Sequence, residues 1–402
     1  MKKGWNVEKL KMIVDRLTNG YVGPTKKIYH ETGIPYLLAR HVKNNMLKFD
    51  GKTYISNEFN IKNKKSILKT GDILLVQSGH IGHSAVVPKN HEGHNCHAMI
   101  VITPKLQFVN SEFLSLYFLS PLMKEQFEFM RKGSTIKHLN CKDVREINIP
   151  LPPLPEQKRI VAVLDESFAA LAKAKENAEK NLENARELFE TYLQGVFENG
   201  NWVDKRIQDI TKVINGYAFS SKDFKPIYTV KSIKITNVGV KKFVEETDNY
   251  LPEKFKETLK DYQAKKGNIV IALTRTIISA GLKVAIVPKS YDGSLINQRV
   301  VALVPIEKFV NQNYLYYYLT TIGVAKYVLE HVNTLMQPNL SIIDLKNMPV
   351  PCPTIKDQEN IVAKLDDLRN KTKKLEAIYL QKLSDLEELK KSLLQKAFNG
   401  EL

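Results

Sequence analysis

The amino-acid sequence predicts an α+β protein that is a pseudo-twofold tandem repeat, in which a mixed α/β domain is twice followed by a long helix. The first observation behind this fold class is an internal repeat, because residues 149–165 recur at 350–366 with an offset of 201 residues. The repeat continues without a gap to Phe197 and Phe398. The second observation is that residues 156–198 contain no proline and a single glycine, which favours an uninterrupted helix.

The charge distribution is the third observation. The net charge of +17 divides into +11 for residues 1–150, −3 for residues 151–200, +8 for residues 201–350 and +1 for residues 351–402. We therefore predict two basic globular domains, 1–150 and 201–350, and two nearly neutral helical segments, 151–200 and 351–402. Two separate basic domains are typical of a protein that contacts a polyanion at two places.

Both helical segments carry the apolar seam of a coiled coil. A proline-rich stretch, residues 150–155, prevents the first helix from extending further towards the N-terminus. Apolar or small residues then recur at alternating steps of three and four, a period near 3.5. In the first segment they are Ile160, Leu164, Phe168, Leu171, Ala174, Ala178, Leu182, Ala185, Phe189, Tyr192 and Val196. In the second they are Ile361, Leu365, Leu368, Thr372, Leu375, Tyr379, Leu383, Leu386, Leu389, Leu393 and Ala397.

Each helix is expected to need a partner. A helix of about 43 residues is ~65 Å long at 1.5 Å per residue, and a single apolar stripe does not stabilise it in water. The simplest partner is the other copy, which gives an intramolecular antiparallel coiled coil with a globular domain at each end. A coiled coil between two chains is the alternative.

The two globular domains share an order of short elements. Apolar runs bounded by turn residues predict strands at 72–76 and 84–87, and again at 269–272 and 283–287. A helix-like stretch follows in each domain, at 109–130 and at 310–329. Its aromatic residues are predicted to be core residues rather than base-stacking ones. They are Phe113, Tyr117, Phe118, Tyr314, Tyr317 and Tyr318.

The loops that follow the strands differ between the domains. Residues 77–83 read Gln-Ser-Gly-His-Ile-Gly-His, whereas residues 273–279 read Leu-Thr-Arg-Thr-Ile-Ile-Ser. Similar strands with different polar loops fit two domains that read different ligands of one class. Among these side chains Arg275 has the hydrogen-bonding geometry for guanine, although a polar loop residue can equally be a solvated turn.

Other polar side chains complete the set of candidate DNA contacts. Gln77, Asn297 and Gln298 have the geometry for adenine, and residues 132–137 resemble a phosphate-holding turn. The full set is Gln77, Ser78, His80, His83, Lys132, Ser134, Thr135, Lys137, Thr274, Arg275, Thr276, Asn297, Gln298, Arg299, Gln337 and Asn339.

Catalytic motifs are not evident in the sequence. There is no Asn-Pro-Pro-Tyr or Asp-Pro-Pro-Tyr box for methyl transfer and no Gly-x-x-x-x-Gly-Lys-Ser/Thr loop for ATP hydrolysis. Asp143 with the Glu-Gln-Lys of residues 156–158 resembles a metal-nuclease triad. The second copy loses the lysine, since residues 357–359 read Asp-Gln-Glu, so these carboxylates are better explained as first-turn groups favoured by the helix dipole. We therefore predict a chain without catalytic residues.

A cluster of histidines and one cysteine leaves metal binding open. His91, His94, Cys96 and His97 offer four potential zinc ligands, yet their spacing matches no common zinc module. Polar loop residues near DNA are the alternative, and we predict no metal site. The three cysteines are far apart without a Cys-x-x-Cys pair, which indicates reduced thiols in an intracellular protein. No apolar run approaches the ~20 residues that span a bilayer, so the expected location is the cytoplasm.

The whole chain resembles the DNA-specificity subunits of type I restriction–modification systems. The strongest parts of the resemblance are residues 149–161, Ile-Pro-Leu-Pro-Pro-Leu-Pro-Glu-Gln-Lys-Arg-Ile-Val, and residues 392–402, Ser-Leu-Leu-Gln-Lys-Ala-Phe-Asn-Gly-Glu-Leu. The Gly-Asp-Ile-Leu-Leu of residues 71–75 and the Gly-Asn-Ile-Val-Ile of residues 267–271 also resemble the family's two recognition domains. The second copy departs from the pattern at Thr354, where a proline is usual.

The resemblance implies a non-catalytic subunit with two target-recognition domains, each reading half of a bipartite, asymmetric site in double-stranded DNA. The helix pair would fix the gap between the half-sites. Two adenine-methyltransferase subunits would dock on this chain, at residues that include Gln157, Arg159, Gln358 and Asn360, and motor–nuclease subunits would join for restriction. S-adenosylmethionine, ATP and Mg²⁺ would bind to those partners, and this chain would bind no cofactor.

Two rival interpretations remain at the level of sequence. One is a coiled-coil scaffold or adaptor that does not read DNA. The other is a specificity module of a different methyltransferase or nuclease system. The sequence does not reveal the DNA target, the gap length or the oligomeric state of the isolated chain.

Overall fold

The computed structural model describes residues 4–43, 45–132, 138–246, 250–279, 281–332 and 338–402. The chain forms two compact units. Unit 1 comprises Met1–Lys180 and Leu380–Leu402, and unit 2 comprises Asn181–Tyr379. Each unit therefore contains one globular domain and one half of each long helix, so the boundaries of the compact units cut across the helical segments expected from the sequence.

The two long helices have the positions that the repeat predicts. The first long helix is Leu154–Glu198 and the second is Ile355–Asn399, and each contains 45 residues. Of the proline-rich stretch, Pro150 and Leu151 end a short strand, and Pro155 lies in the first helical turn, where a missing N–H is tolerated. Among the described residues, no helix is both long and apolar enough to cross a membrane.

Within unit 1 the halves of the long helices run antiparallel. Lys175 forms an ion pair of 2.8 Å with Glu387. Further towards the N-terminus of the first helix, the Lys390 ammonium lies 5.0 Å from the Phe168 ring centre. Residue numbers thus rise on one helix as they fall on the other. The core of unit 1 contains apolar residues of both helices, which are Ile160, Leu164, Leu394, Ala397 and Phe398.

Unit 2 contains the other halves of the long helices in the same arrangement. Arg186 forms an ion pair of 3.2 Å with Glu376, and Leu193 of the first helix shares a core with Leu365 of the second. The predicted seam is largely packed in both units. Three of its residues are more than a third exposed, and they are Tyr192, Leu375 and Leu389.

Unit 1 contains eleven of the described strands and four shorter helices. The strands are β1 Asn6–Lys9, β2 Val14–Asn19, β3 Ile34–Leu37, β4 Val42–Lys43, β5 Met46–Leu47, β6 Tyr54–Ile55, β7 Ile73–Val76, β8 Ser84–Val86, β9 Asn95–Cys96, β10 Met99–Pro104 and β11 Asn148–Leu151. The helices are α1 Asn57–Lys62, α2 Ser111–Phe118, α3 Pro121–Lys132 and α4 Cys141–Arg145. The central sheet is antiparallel, with the order β2-β10-β7-β8.

Unit 2 repeats this plan. Its described strands are β12 Asp204–Arg206, β13 Thr211–Asn215, β14 Val230–Ile233, β15 Tyr250–Leu251, β16 Gln263–Ala264, β17 Ile269–Ala272, β18 Ile277–Ile278, β19 Gly281–Leu282, β20 Val284–Ile286, β21 Ser294–Ile296, β22 Val300–Pro305 and β23 Pro349–Pro351. Its helices are α5 Ile207–Ile210, α6 Lys254–Thr258, α7 Gln312–Leu319, α8 Ile322–His331 and α9 Ile342–Asn347. The central sheet has the equivalent order β13-β22-β17-β20.

Each central sheet is buried on both faces, which explains why its strands read as continuous apolar runs. In β7, Ile73 and Leu75 belong to the core beneath the helices, whereas Leu74 and Val76 belong to the core on the opposite face. This alternation is the two-residue period of a strand. The strands predicted at 72–76, 84–87, 269–272 and 283–287 are therefore confirmed to within one residue at each end.

The helix-like stretch of each domain is two helices, so the prediction of one continuous helix was wrong. In unit 1 the break lies between α2 and α3 at Pro121, because a proline disfavours helical geometry in the residue before it. In unit 2 the Oγ1 atom of Thr321 accepts a hydrogen bond of 3.3 Å from the N–H of Val324 and caps a new helix. The predicted aromatic core is confirmed for Phe113, Tyr117, Phe118, Tyr314 and Tyr317, which are at most 3% exposed, whereas Tyr318 is half-buried.

Candidate nucleic-acid interface

In unit 1 the candidate loops meet at one end of the central sheet. Strands β2 and β7 end there and β10 begins there, because Asn19 pairs with Ile100 and Val76 pairs with Met99. The loop 77–83 leaves β7 at this end and returns as β8. The Leu139 N–H donates a hydrogen bond of 3.0 Å to the Gln77 carbonyl, which brings the segment before α4 to the same place.

The predicted DNA contacts of unit 1 differ in exposure. Ser78 and His80 are exposed and His83 is half-buried, with the two imidazole rings stacked at 5.4 Å. Burial, followed by the neighbouring His80, lowers the pKa of His83. Gln77 is only 7% exposed, and its buried Oε1 atom has no partner among the described residues. The main chain of Lys132 ends α3, and Ser134, Thr135 and Lys137 lie outside the described residues.

In unit 2 the loops also meet at one end of the central sheet, and this meeting of loops, the loop convergence, carries different side chains. The Leu273 N–H donates 2.9 Å to the Arg299 carbonyl, and the Leu340 N–H donates 3.0 Å to the Leu273 carbonyl. Thr274 forms a strand-like bridge with Asn339. Three segments that are far apart in sequence, namely 273–276, 297–299 and 338–340, therefore meet at the equivalent end of this sheet.

The side chains of this second convergence are mostly accessible. Arg275, Gln298, Arg299 and Asn339 are exposed. Thr274 and Asn297 are half-buried, Thr276 is fully buried, and Gln337 lies outside the described residues. The structure thus brings the predicted contacts of unit 2 into one surface, apart from the buried Thr276 and the undescribed Gln337.

The sequence interpretation missed a tyrosine in each convergence. The Ala98 N–H donates to the Tyr21 carbonyl at 3.0 Å, and the Gln298 N–H donates to the Tyr217 carbonyl at 2.9 Å. Tyr217 is 38% exposed beside Asn297, and its ring lies edge-on to Tyr262 at 5.2 Å. The repeated Asn-Gly-Tyr at residues 19–21 and 215–217 was the available signal.

The glycine of that repeated motif is required by a close backbone approach. A Cβ atom on Gly20 would lie 2.4 Å from the Cys96 carbonyl oxygen, and one on Gly216 would lie 1.9 Å from the Asn297 carbonyl oxygen. Only glycine fits between two main chains at such distances. The glycine therefore lets the main chain approach closely enough for the following tyrosine to lie beside the loops.

The histidine–cysteine cluster does not assemble as a metal site. The Nδ1 atoms of His91 and His94 lie 3.1 Å apart, and burial lowers the pKa of both imidazoles. Cys96 is fully buried, and burial raises the pKa of its thiol to about 12. Among the described residues, no group of three or more histidine, cysteine or acidic side chains could hold a metal ion.

Two of the residues predicted to bind a partner have internal hydrogen bonds instead. Gln157 and Gln358 are fully buried. The Gln157 Oε1 atom accepts 2.8 Å from the Asn110 N–H, and its Nε2 atom donates to the carbonyls of Phe108 at 2.9 Å and Pro152 at 2.8 Å. Gln358 makes the equivalent bonds in unit 2. Neither amide is free for a partner.

The two remaining partner-binding candidates lie on the surface. Arg159 is paired with Glu156 at 2.7 Å, and its Nη2 atom donates to the Leu402 carbonyl at 2.8 Å. Asn360 is exposed. A role of either residue in partner binding stays a prediction.

A family model described as the type I restriction modification DNA specificity domain matches residues 2–182 and 199–384. The chain belongs to this family. The two matches correspond to the two copies of the domain and helix, so the tandem repeat is a repeat of the specificity domain.

Curated relatives of this specificity-domain chain carry the same description. The MjaVIII specificity subunit of Methanocaldococcus jannaschii is 26% identical over 92% of this chain and 86% of its own length. The MjaIX specificity subunit of the same organism is 28% identical over 100% of this chain and 94% of its own length. Both are named as specificity subunits of type I restriction enzymes.

Solved structures show the same fold. A chain from a study of complex assembly and conformational transition of the type I R-M system has a TM-score of 0.74 at 19% identity, covering 100% of this chain and 99% of that one. The HsdS subunit from Thermoanaerobacter tengcongensis has a TM-score of 0.66 at 20% identity, covering 100% and 98%. The α+β tandem fold predicted from the sequence is therefore confirmed.

Proposed function

We propose that this chain is the DNA-reading subunit of a type I restriction–modification complex, and that each unit reads one half of a bipartite, asymmetric site. The observation that carries the proposal is that one loop convergence is built twice with different side chains. The loop of unit 1 presents Ser78 and His80, whereas the equivalent loop of unit 2 presents Thr274 and Arg275. One scaffold with two sets of hydrogen-bonding groups supports two different half-sites.

The charge distribution supports DNA as the ligand. Residues 1–150 and 201–350, which supply these loops, carry net charges of +11 and +8. Lysines and arginines that neutralise phosphates release counterions, so the affinity is expected to fall steeply with salt. The base-reading groups at the loops would then add sequence preference to this general attraction.

The long helices are proposed to set the gap between the half-sites. Each has 45 residues, about 68 Å if straight, which exceeds a helical turn of DNA of ~34 Å. Two adenine-methyltransferase subunits would dock on this chain, and motor–nuclease subunits would join for restriction in the cytoplasm. S-adenosylmethionine, ATP and Mg²⁺ would bind to those partners, and this chain would contribute recognition without catalysis.

The test is to co-express the full chain with the products of its neighbouring genes and to map methylated adenines in the cell. We expect an asymmetric two-part motif with a fixed gap. Replacing Ser78 and His80 by alanine should change only one half of the motif, whereas replacing the exposed Glu58, which lies on α1 of the same unit, should change neither. A complex that forms without methylation would favour the scaffold interpretation.

A second experiment tests the helices as a spacer. Deleting seven residues from each long helix preserves the heptad seam and shortens each helix by about 10 Å. The gap should shorten while both half-sites keep their base sequence. A methylating complex with an unchanged gap would exclude the spacer role and leave the recognition role intact.

A further inference from the structure

Arg275 has a backbone conformation that arginine rarely adopts. Its φ angle is 49°, in the left-handed region where the Cβ atom of an L-residue is crowded. The structurally equivalent residue of unit 1 is Gly79, with φ 73°. The equivalence follows from the hydrogen bonds two residues earlier, where Leu139 N–H binds the Gln77 carbonyl and Leu340 N–H binds the Leu273 carbonyl. Unit 2 thus has an arginine where glycine would be unstrained.

The loop holds this strained conformation from both sides. Thr274 is bridged to Asn339 before the arginine, and the Thr276 N–H donates 3.0 Å to the Pro338 carbonyl after it. The Lys283 N–H also donates 2.8 Å to the Thr276 carbonyl. A residue whose two neighbours are both hydrogen-bonded has little freedom to relax. Strain that is held in this way clusters at functional sites.

The Arg275 side chain has no role in folding that the described residues reveal. It is exposed, and within the described ranges its guanidinium forms no hydrogen bond or ion pair. The nearby cation Lys283 is directed elsewhere, since its ammonium donates 2.8 Å to the Ile235 carbonyl. Burial, followed by Arg275, lowers the pKa of Lys283. Among the described residues, none therefore engages the guanidinium.

The surroundings of Arg275 fit the edge of a base better than a phosphate alone. The residue lines a cleft of about 610 Å³ within unit 2, together with the strand pair β18–β19 and residues of α8. Ile278 is 50% exposed and Leu329 is 47% exposed in this cleft. An arginine binds guanine through its O6 and N7 acceptors, and an apolar wall contacts a thymine methyl group in the major groove. A phosphate contact needs charge but neither a fixed backbone nor an apolar wall.

We propose that Arg275 is a specificity-determining residue that reads a guanine in the half-site of unit 2. The strained loop holds the Cα and Cβ atoms of Arg275 in a fixed position, so that the planar guanidinium presents two parallel N–H donors to the guanine. The proposal rests on the function proposed above. It predicts that the residue serves recognition at the expense of local backbone stability.

The experiment uses the full chain in complex with its methyltransferase, with Arg275→Gly and Arg275→Lys as variants. Arg275→Gly relieves the strain, so its thermal midpoint should be no lower than that of the wild type. The methylation motif should relax at one guanine of one half-site and stay unchanged in the other half. Binding to the wild-type site should fall about 5- to 150-fold. Arg275→Lys keeps the charge but lacks the planar fork, so it should relax the same position.

A charge-matched control is Lys260→Ala, because Lys260 is an exposed lysine of unit 2 paired with Glu257 at 3.2 Å. This variant should keep the motif. The proposal is overturned if Arg275→Gly keeps the guanine preference, or if Arg275→Lys has the same methylation motif as the wild type. It is also overturned if Arg275→Gly weakens binding to all sequences equally, because that is the result expected from the loss of a phosphate contact. If the wild-type complex methylates no bipartite site, the proposed function fails as well; otherwise only the role of Arg275 fails.

Discussion

The buried amide of Gln157 offers a sharp test of how the first long helix is attached to its domain. The change is Gln157→Glu, which replaces the Nε2 donor by an oxygen. That oxygen would face the carbonyls of Phe108 and Pro152, which now accept at 2.9 and 2.8 Å. Both hydrogen bonds that Nε2 donates are lost, and the new carboxylate oxygen faces two buried carbonyl oxygens that no longer have a donor.

The magnitude follows from those contacts. Each buried acceptor that loses its donor costs about 1–3 kcal/mol, so the pair costs about 2–6 kcal/mol, before any penalty for burying a carboxylate. For a unit of this size, each kcal/mol lowers the unfolding midpoint by roughly 2–4 °C. We expect a fall of about 4 °C at the least. The weakened region should be unit 1, because all three bonds of Gln157 lie there.

The assay is differential scanning calorimetry of the purified chain, combined with hydrogen exchange followed by mass spectrometry. Peptides that cover residues 108–110 and 152–157 should lose protection in Gln157→Glu, because the lost bonds join these two segments, and the equivalent change Gln358→Glu should act on residues 309–311 and 353–358 instead. Asn177→Asp is the matched control, since it makes the same atomic change at an exposed position of the same helix. A variant that unfolds like the wild type but no longer binds its partner would refute this reasoning and restore the partner-binding role of Gln157.

Three further predictions follow from the same structure. Burial lowers the pKa of His91 and His94, so the stability of the neutral folded form is complete above the unfolded pKa of about 6.5 and is lost as the pH falls below it. The urea midpoint should therefore drop between pH 7 and pH 5, and it should drop less in a His91→Gln/His94→Gln variant. Equal drops would show that these two histidines do not cause the pH dependence. Gly216→Ala should destabilise the chain by about 1–3 kcal/mol in calorimetry, because its Cβ atom would collide with a carbonyl oxygen. The control Gly323→Ala, whose Cβ would have no heavy atom within 3.4 Å, should be neutral or stabilising. Equal effects of the two changes would exclude the close approach at Gly216. Lys175→Ala removes an exposed ion pair and should change the unfolding free energy by less than about 1 kcal/mol. A larger measured loss would contradict the small contribution expected of an exposed pair.

The resemblance of the repeat to a known family and the three-to-four spacing of apolar residues were sufficient for the fold class. Both signals are local. A long stretch without proline beyond the first helical turn indicates a helix from its own residues, although its stability depends on a partner, and a second copy of the same pattern implies a second copy of the same element. The strands could be located for a similar reason, since a run such as residues 73–76 is apolar on both faces.

Tertiary structure decided which side chains are accessible, because burial depends on contacts between residues far apart in sequence. Gln157 and Gln77 look like surface residues in a polar stretch, yet the first is fully buried and the second is 7% exposed. The contact between Thr274 and Asn339, the exposure of Arg275 and its left-handed backbone likewise arise where three distant loops meet. The sequence by itself determined the repeated elements and their family. Only the folded chain decided which groups of each repeat remain on the surface, because long-range backbone hydrogen bonds, and not local pattern, set that choice.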